Sequence, residues 1–414
     1  MSGAAGAACA ENPSADRPWL QIVGLGADGL CGLAPAARAA LDAAEVVFGA
    51  ARHHALTEGL VADRVAWPSP FDALIARIAA LKGRRVAVLV TGDPTWFSAG
   101  TRIAAAFPDA ERVIHPHPSA FQLAAIRLGW PLGEVTTLTV HGRALERVIP
   151  ALQPGARLLV LTDGPETPAA IAALLRDRGF GPSRLVALSD MGGPAERCKG
   201  AAAAEWQGSA PAFHTLAIEV VPGPAPVLCP TVPGLDDALF AHDGTMTKRE
   251  VRALTLAKLM PMPGARLWDV GAGAGSVAIE WLRAASAGQA VAIEPRADRR
   301  AFAAANAARL GTPELEIVDG HAPQALEGLA APDAVFLGGG LSRETAELAL
   351  AALRPNGRLV ANAVTLESEA ILLALADAHG GELVRLQSAR AEPLGQGRAW
   401  RPAMPVTQWS LVLR

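Results

Sequence analysis

The sequence predicts an α/β protein of more than one domain, on three observations. Short apolar, β-branched runs alternate with amphipathic stretches of helical length, the pattern of parallel sheets covered by helices. A proline- and glycine-dense stretch, "VVPGPAPVLCPTVPGLDD" at 220–237, interrupts that alternation. Proline fixes φ and removes an amide donor, so regular structure stops there. The 414 residues also exceed the ~100–200 of a single domain. The expected division is a flexible tail over 1–18, a first domain over 19–222, a linker over 223–233 and a second domain over 234–414.

In the first domain the strand candidates are "WLQIVGLG", "EVVFG", "RRVAVLVTGD", "RVIHP", "TTLTV", "RLLVLTD", "RLVALS" and "HTLAIEVV". A break near 115–120 predicts two smaller lobes, about 19–118 and 119–222. In the second domain the strands are "RLWDV", "AVAIE", "LEIVD", "AVFLG", "RLVANAV", "LVRLQ" and "WSLVLR". Helical stretches at 276–285, 297–310, 322–328, 342–353 and 367–379 separate the first six. The last two strands, joined by the loop "EPLGQGRAWRPAMP", are candidates for an antiparallel edge.

Composition excludes several classes. Hydrophobic residues make up 51% and charged residues 19%, enough to build cores. The net charge of −3 and the lack of a basic run argue against nucleic-acid binding. No apolar run has the length of a membrane span, and "MSGAAGAACAENPSADRP" lacks the features of a signal peptide. Cys9, Cys31, Cys198 and Cys229 form no C-x-x-C pair and no zinc spacing, so they read as reduced, mostly packing cysteines of a cytoplasmic protein without a metal site.

The most informative stretch is "LWDVGAGAGSVAIEWL" at 267–282, a strand that ends in a glycine loop and enters a helix. Its glycines are Gly271, Gly273 and Gly275. The dinucleotide fingerprint G-x-G-x-x-G has its third glycine where this chain has Ser276, which argues against a pyrophosphate ligand. Asp269, two residues before the loop, is placed to receive an α-amino group. Glu294, at the end of the next strand, is placed to accept two ribose hydroxyls. Amino group and ribose without pyrophosphate describe S-adenosylmethionine. The plainer reading is that the glycines only turn the chain and Glu294 is a solvated strand end.

A second loop, "LVTGDPTWFSAG" at 89–100, carries Gly92, Asp93 and Pro94. Proline pre-sets a turn and glycine lets backbone approach a ligand, so the loop reads either as a ligand site or as an ordinary strand-to-helix turn.

These motifs carry two resemblances. "HDGTMTKREVRALTLAKL", the glycine loop, "GHAPQAL", "PDAVFLGGG" and "GRLVANAVTLESE" resemble the decarboxylating precorrin methyltransferase family of cobalamin biosynthesis, of class I Rossmann-like fold, over residues 234–414. "IVGLGADGLCGL", "LVTGDPTWFSAG", "HPHPSAFQLAAIRLGWP", "VHGR" and "LTDGPETPAAIAALL" resemble the tetrapyrrole methylase superfamily, whose fold has two lobes, over residues 19 to about 222. "HGR" and "LTDGP" resemble the branch that methylates precorrin at C5. One departure stands out. The superfamily's first motif commonly reads G-x-G-P-G, whereas this chain has Gly26, Ala27, Asp28 and Gly29, so that loop binds differently or only turns.

The resemblance implies methylation of a corrin precursor at C5 by the first domain. It implies methylation at C15 and loss of carbon dioxide from the C12 acetate by the second. Each domain would hold its own S-adenosylmethionine, the partner would be a small tetrapyrrole, and the chain would form a homo-oligomer, a tetramer by resemblance. The alternatives are a methyltransferase for another tetrapyrrole and a corrinoid-binding scaffold without catalysis. Cofactor contacts are then expected from Gly92, Asp93, Pro94, Ser119 and Ala120 in the first domain. In the second they are expected from Thr247, Asp269, Gly271, Gly273, Gly275, Glu294, His321 and Ala322.

A polycarboxylate substrate calls for arginine forks. Arg52, Arg143 and Arg252 are the candidates, with His141 beside them; a surface charge, and for His141 a packed or capping role, is the alternative. His242, Asp243 and Lys248, leading onto an expected lid helix, and Asn362 and Glu367 are the catalytic candidates. Glu367 also reads as a helix N-terminal charge. No Ser/His/Asp nucleophile set is found, and a sulfonium donor needs none.

Overall fold

The computed structural model describes residues 18–414; almost all of the expected tail, with Cys9, lies outside the described residues. The chain divides into two compact units, Met1–His141 with Gly155–Pro226 and Gly142–Pro154 with Val227–Arg414. The short segment Gly142–Pro154 thus groups with the second unit, unlike the division drawn from the linker. Its 3-10 turn Leu145–Ala151 buries Val148 and Ile149, and Gln153 Nε2 donates to the Cys229 carbonyl at 2.8 Å.

The first unit begins with a parallel sheet built from β1 (Leu20–Leu25), β2 (Val46–Gly49), β3 (Asp63–Ala66), β4 (Val86–Thr91) and β5 (Arg112–His115). The order is β3-β2-β4-β1-β5. Helices α1 (Pro35–Asp42), α2 (Ala51–Ala55), α3 (Ala73–Ala79) and α4 (Ala99–Ala106) connect these strands. The loops at the carboxyl ends of the strands are where ligands bind in such sheets. The chain then passes through α5 (Ala120–Leu128) into a second sheet. This sheet comprises β6 (Val135–Thr139), β7 (Arg157–Leu161), β8 (Arg184–Ser189), β9 (Arg197–Ala202) and β10 (His214–Glu219), with α6 (Thr167–Asp177) after β7. Its order is β6-β7-β10-β8-β9, and only β6 and β7 run parallel.

Sequence reading misses β3 and β9, both mostly exposed edge strands. An edge strand buries too little to show an apolar run.

The second unit opens with α7 (Arg249–Leu259) and winds through β11 (Arg266–Val270), α8 (Ser276–Ala284), β12 (Gln289–Ile293), α9 (Ala297–Leu310) and β13 (Glu316–Val318). It continues with β14 (Ala334–Leu337), α10 (Arg343–Ala352), β15 (Arg358–Ala363), α11 (Leu366–His379) and β16 (Glu382–Leu386). A hairpin of β17 (Ala389–Leu394) and β18 (Gly397–Pro402) precedes β19 (Val406–Val412). The sheet order is β13-β12-β11-β14-β15-β19-β16, with β19 antiparallel to both neighbours. Two expectations are corrected. The helix at 322–328 is only the 3-10 turn Gln324–Leu326. Much of the proline-rich loop is the separate β17–β18 hairpin, where Pro393 sits on a two-stranded ribbon that tolerates a missing donor. Packing is also corrected for the cysteines: Cys229 is buried, but Cys31 and Cys198 are exposed.

Nearly every residue of α8 is buried, including Glu280 and Arg283. Both bond to backbone, and Glu280 is also paired with the Arg252 guanidinium. Glu280 accepts from the amides of Gly234 and Leu235, and Arg283 donates to the carbonyls of Cys229 and Leu310. The segment leading into the unit is thereby tied to its central helix. Among the described residues no helix is long and apolar enough to cross a membrane, and no group of His, Cys, Asp and Glu has the arrangement of a metal site.

Candidate cofactor loops

In the second unit the glycine loop follows β11. Gly271 has φ +70°, and a Cβ there would lie 2.4 Å from the Gly339 Cα. Gly339 belongs to the "FLGGG" end of β14, and the amides of Gly338 and Gly339 both donate to the Val270 carbonyl. The two strand ends therefore meet backbone to backbone, which only glycine permits at position 271.

Glu294, just past β12, is 3% exposed. Its Oε2 accepts from the Gly273 amide at 2.9 Å and its Oε1 from the Arg296 amide at 3.0 Å. The carboxylate braces the glycine loop, and each oxygen keeps a lone pair for a further donor. Asp269 is 1% exposed; its Oδ2 accepts from the Ala278 amide at 2.9 Å. Its Oδ1 is buried without a hydrogen-bond partner. Burial pushes this carboxyl up to about 7; the Ala278 amide opposes the rise and the Glu294 charge adds to it. An orphaned carboxylate oxygen beside an open glycine turn fits a ligand that brings a cationic amino group, and so fits S-adenosylmethionine.

The segment before α7 borders this loop, for the Thr245 carbonyl lies 3.8 Å from a Cβ built on Gly273. His242 Nδ1 accepts from the Gly244 amide at 2.9 Å. Asp243 accepts from the Thr245 amide at 3.0 Å and from Arg299 Nε at 2.9 Å, and these partners hold its carboxyl below the ordinary range. Both side chains thus shape the turn. Lys248 stands at the N-terminal boundary of α7 without a side-chain cap, its Nζ donating to the Gly244 carbonyl at 3.3 Å, and Thr247 is half-buried beside it.

Asn362, on β15, donates to Thr255 Oγ1 at 3.1 Å and accepts from Gln408 Nε2 at 2.9 Å. Thr255 and Gln408 are buried partners that sequence reading does not single out, because a buried polar pair leaves no periodic signal. Glu367 is exposed in the first turn of α11, a favourable place for an acid. His321, exposed, and the half-buried Ala322 follow β13.

Arg252 is corrected. It is not available to a substrate, because its side chain is wholly buried. Nε donates to Glu280 at 2.6 Å, Nη1 to Asp237 at 3.0 Å and to the Thr247 carbonyl at 2.6 Å, and the guanidinium stacks on Phe240 at 4.8 Å. The same residue corrects the expected lid: α7 is pinned to α8, with Arg252, Thr255, Leu256 and Leu259 buried.

In the first unit the loop after β4 meets the start of α5. A Cβ on Gly92, at φ +63°, would lie 3.5 Å from the Ser119 Cα and 3.6 Å from the Ala120 amide nitrogen. The structure thus brings together Gly92, Pro94, Ser119 and Ala120. Asp93 Oδ1 accepts from the amide and hydroxyl of Thr95 at 2.7 and 2.6 Å, an Asx turn that shapes the loop. Ser119 caps α5 reciprocally with Gln122.

Arg52 donates to Asp190 at 2.8 Å and stacks on the exposed Phe213 at 4.0 Å, keeping 26% of its side chain exposed. Neither partner is legible in the sequence. His141 lies 3.4 Å from Asp163 and is exposed, and Arg143 is exposed in the second unit.

Fold and loops define a methyltransferase of two unlike α/β domains in one chain. Residues 20–205 match the tetrapyrrole (corrin/porphyrin) methylases, and residues 238–413 match the precorrin methyltransferase domain. A Sinorhizobium protein named precorrin-6Y C(5,15)-methyltransferase [decarboxylating] is 45% identical over 401 residues, 96% of this chain and 97% of that one. Two Salmonella typhimurium proteins each match less than half of the chain. The cobalt-precorrin-6B C(15)-methyltransferase (decarboxylating) is 38% identical over 42% of this chain and 92% of its own length. The cobalt-precorrin-7 C(5)-methyltransferase is 30% identical over 41% and 84%. The chain belongs to the precorrin-6Y C5,15-methyltransferase (decarboxylating) family.

Proposed function

We propose that the chain methylates precorrin-6B at C5 and C15 and removes the C12 acetate carboxyl as carbon dioxide, giving precorrin-8X. The first unit would act at C5 and the second at C15 and C12. The observation that carries this reading is the pair of unlike glycine loops in one chain, each within a region matched by its own methylase family. S-adenosylmethionine supplies a methyl group already activated on a sulfonium.

In the second unit Asp269 would pair with the ligand's amino group, Glu294 would accept the ribose hydroxyls, the Gly271–Gly275 turn would let backbone approach, and His321 and Ala322 would border the base. In the first unit Gly92, Pro94, Ser119 and Ala120 would line the second cofactor site, with Asp93 holding the loop in shape. Arg52 and Arg143 would bind ring carboxylates, with His141 beside Arg143 in sequence. Lys248, Asn362 and Glu367 would face the ring in the second unit, and His242 and Asp243 would hold the Gly244 turn. For the decarboxylation the remaining work is orientation and exclusion of water, since the macrocycle itself can take the electrons released. A cytoplasmic homo-oligomer belongs to the same reading.

The test is mass spectrometry of the product formed by the purified chain from precorrin-6B and S-adenosylmethionine. Two added methyl groups with loss of one carbon dioxide are expected. One methyl group without that loss would refute the assignment.

A further inference from the structure

We propose that Asp28 and His117 of the first unit form its proton acceptor. The proposal rests on the assignment of ring methylation to that unit. The observations lie in the loop after β1, where this chain has Asp28 in place of the family's G-x-G-P-G spacing.

Asp28 Oδ1 lies 3.5 Å from His117 Nε2, with the histidine side chain 5% and the aspartate side chain 33% exposed. His117 Nδ1 is 3.1 Å from the Pro118 carbonyl. A carbonyl only accepts, so Nδ1 carries the ring proton and Nε2 presents its lone pair. That lone pair faces Asp28 Oδ1, which is buried and has no hydrogen-bond partner. At 3.5 Å the two atoms make no hydrogen bond, and Asp28 Oδ1 lacks a donor. A proton taken up by the pair would be held between Oδ1 and Nε2.

The pair sits in a cradle of missing side chains. A Cβ on Gly26 would lie 2.4 Å from His117 Cε1 and 2.5 Å from Asp28 Oδ1. A Cβ on Gly32 would lie 1.9 Å from Asp28 Oδ2. A Cβ on Gly24 would meet the Gly92 carbonyl at 2.3 Å, His117 Cβ at 2.9 Å and Pro94 Cδ at 3.0 Å. The pair therefore abuts the Gly92–Pro94 loop assigned to the cofactor. On its other side a Cβ on Gly192 would be 4.0 Å from Asp28 Oδ2. Gly192 lies two residues after Asp190, the residue that holds Arg52, so the turn over 190–192 borders both Asp28 and Arg52.

The chemistry requires such a group. When a ring carbon bearing hydrogen takes a methyl group, its π pair forms the new carbon–carbon bond and the carbon–sulfur pair returns to sulfur. Conjugation is restored when the carbon–hydrogen pair returns to the ring and the proton leaves. Asp28, the more exposed member, is placed to take that proton, and His117 Nε2 shares it.

The test uses the full chain with S-adenosylmethionine and precorrin-6B, unlabelled or deuterated at C5. D28N should lower kcat for C5 methylation by about 10²-fold, the usual contribution of a general base, with KM for both substrates nearly unchanged. C15 methylation and carbon dioxide release should persist, and the deuterium isotope effect on C5 methylation should exceed that of the native chain. H117Q should lower the same kcat by a smaller factor, and it carries the test if D28N does not fold. A C5 rate within about twofold of native in either folded variant overturns the proposal, as does a loss confined to KM. A native chain that transfers no methyl to C5 removes the functional reading and the proposal with it. A native chain that does so while D28N matches it removes the proposal alone.

Discussion

Gly271 and Gly339 touch through their backbones, so that a single added carbon at position 271 would sit 2.4 Å from the neighbouring Cα. The relationship is one-sided. A Cβ on Gly339 would be 3.4 Å from the Gly271 Cα, an ordinary contact. G271A should therefore lose S-adenosylmethionine binding in the second unit, with at least about 1–2 kcal/mol of destabilisation from its left-handed backbone alone. G339A should be much milder. Calorimetry and thermal unfolding of both variants check this, and equal effects would contradict it.

Asp269 makes stability depend on pH. Its folded carboxyl titrates near 7, against about 3.9 for an unfolded aspartate. The folded state binds the extra proton, so this contribution is fully present below about pH 4 and is lost as pH rises through about 7. The thermal midpoint of the second unit in the ligand-free chain should fall over that window, and D269N should flatten the fall. Binding of a cationic amino group favours the ionised form, so cofactor affinity at this site should rise from pH 6 to 8.

Arg252 and Arg52 should separate stability from substrate binding. R252A leaves Glu280 buried without its cation and should cost about 3–5 kcal/mol. R52A removes a partly exposed fork and should raise KM for the tetrapyrrole in C5 methylation, with stability little changed. Denaturant unfolding and steady-state kinetics measure the two. A raised KM without lost stability in R252A would restore it as a substrate contact.

The division of labour has its own pair of variants. D93A opens the Asx turn of the first loop and should impair C5 methylation alone. E294Q weakens the brace on Gly273 and should impair the C15 reaction alone. Product mass spectra distinguish them. If either variant, still folded, lost both reactions, the assignment of one reaction to each unit would be wrong.

Much of the fold is legible because it is repetitive and local. Buried parallel strands such as Val86–Thr91 and Arg266–Val270 announce themselves as apolar runs. The edge strand Arg197–Ala202 and the hairpin Ala389–Pro402 do not, since most of their residues face solvent. The site divides in the same way. Gly271, Asp269 and Glu294 are readable from spacing along consecutive elements. Asp190, Thr255 and Gln408 are not, because their partners Arg52 and Asn362 lie far away in sequence.

By itself the sequence determined two α/β domains and a glycine loop of the wrong spacing for a pyrophosphate, since both depend on neighbours within one or two elements. Tertiary structure alone decided what each charge does. Arg252 and Arg52 look alike in the chain, yet one is sealed against Glu280 and the other remains partly open beside Asp190. Asp28 and His117 meet only because β1 and β5 are adjacent in the first sheet. Burial and long-range pairing set the state of an ionisable group, and neither is written in its sequence neighbourhood.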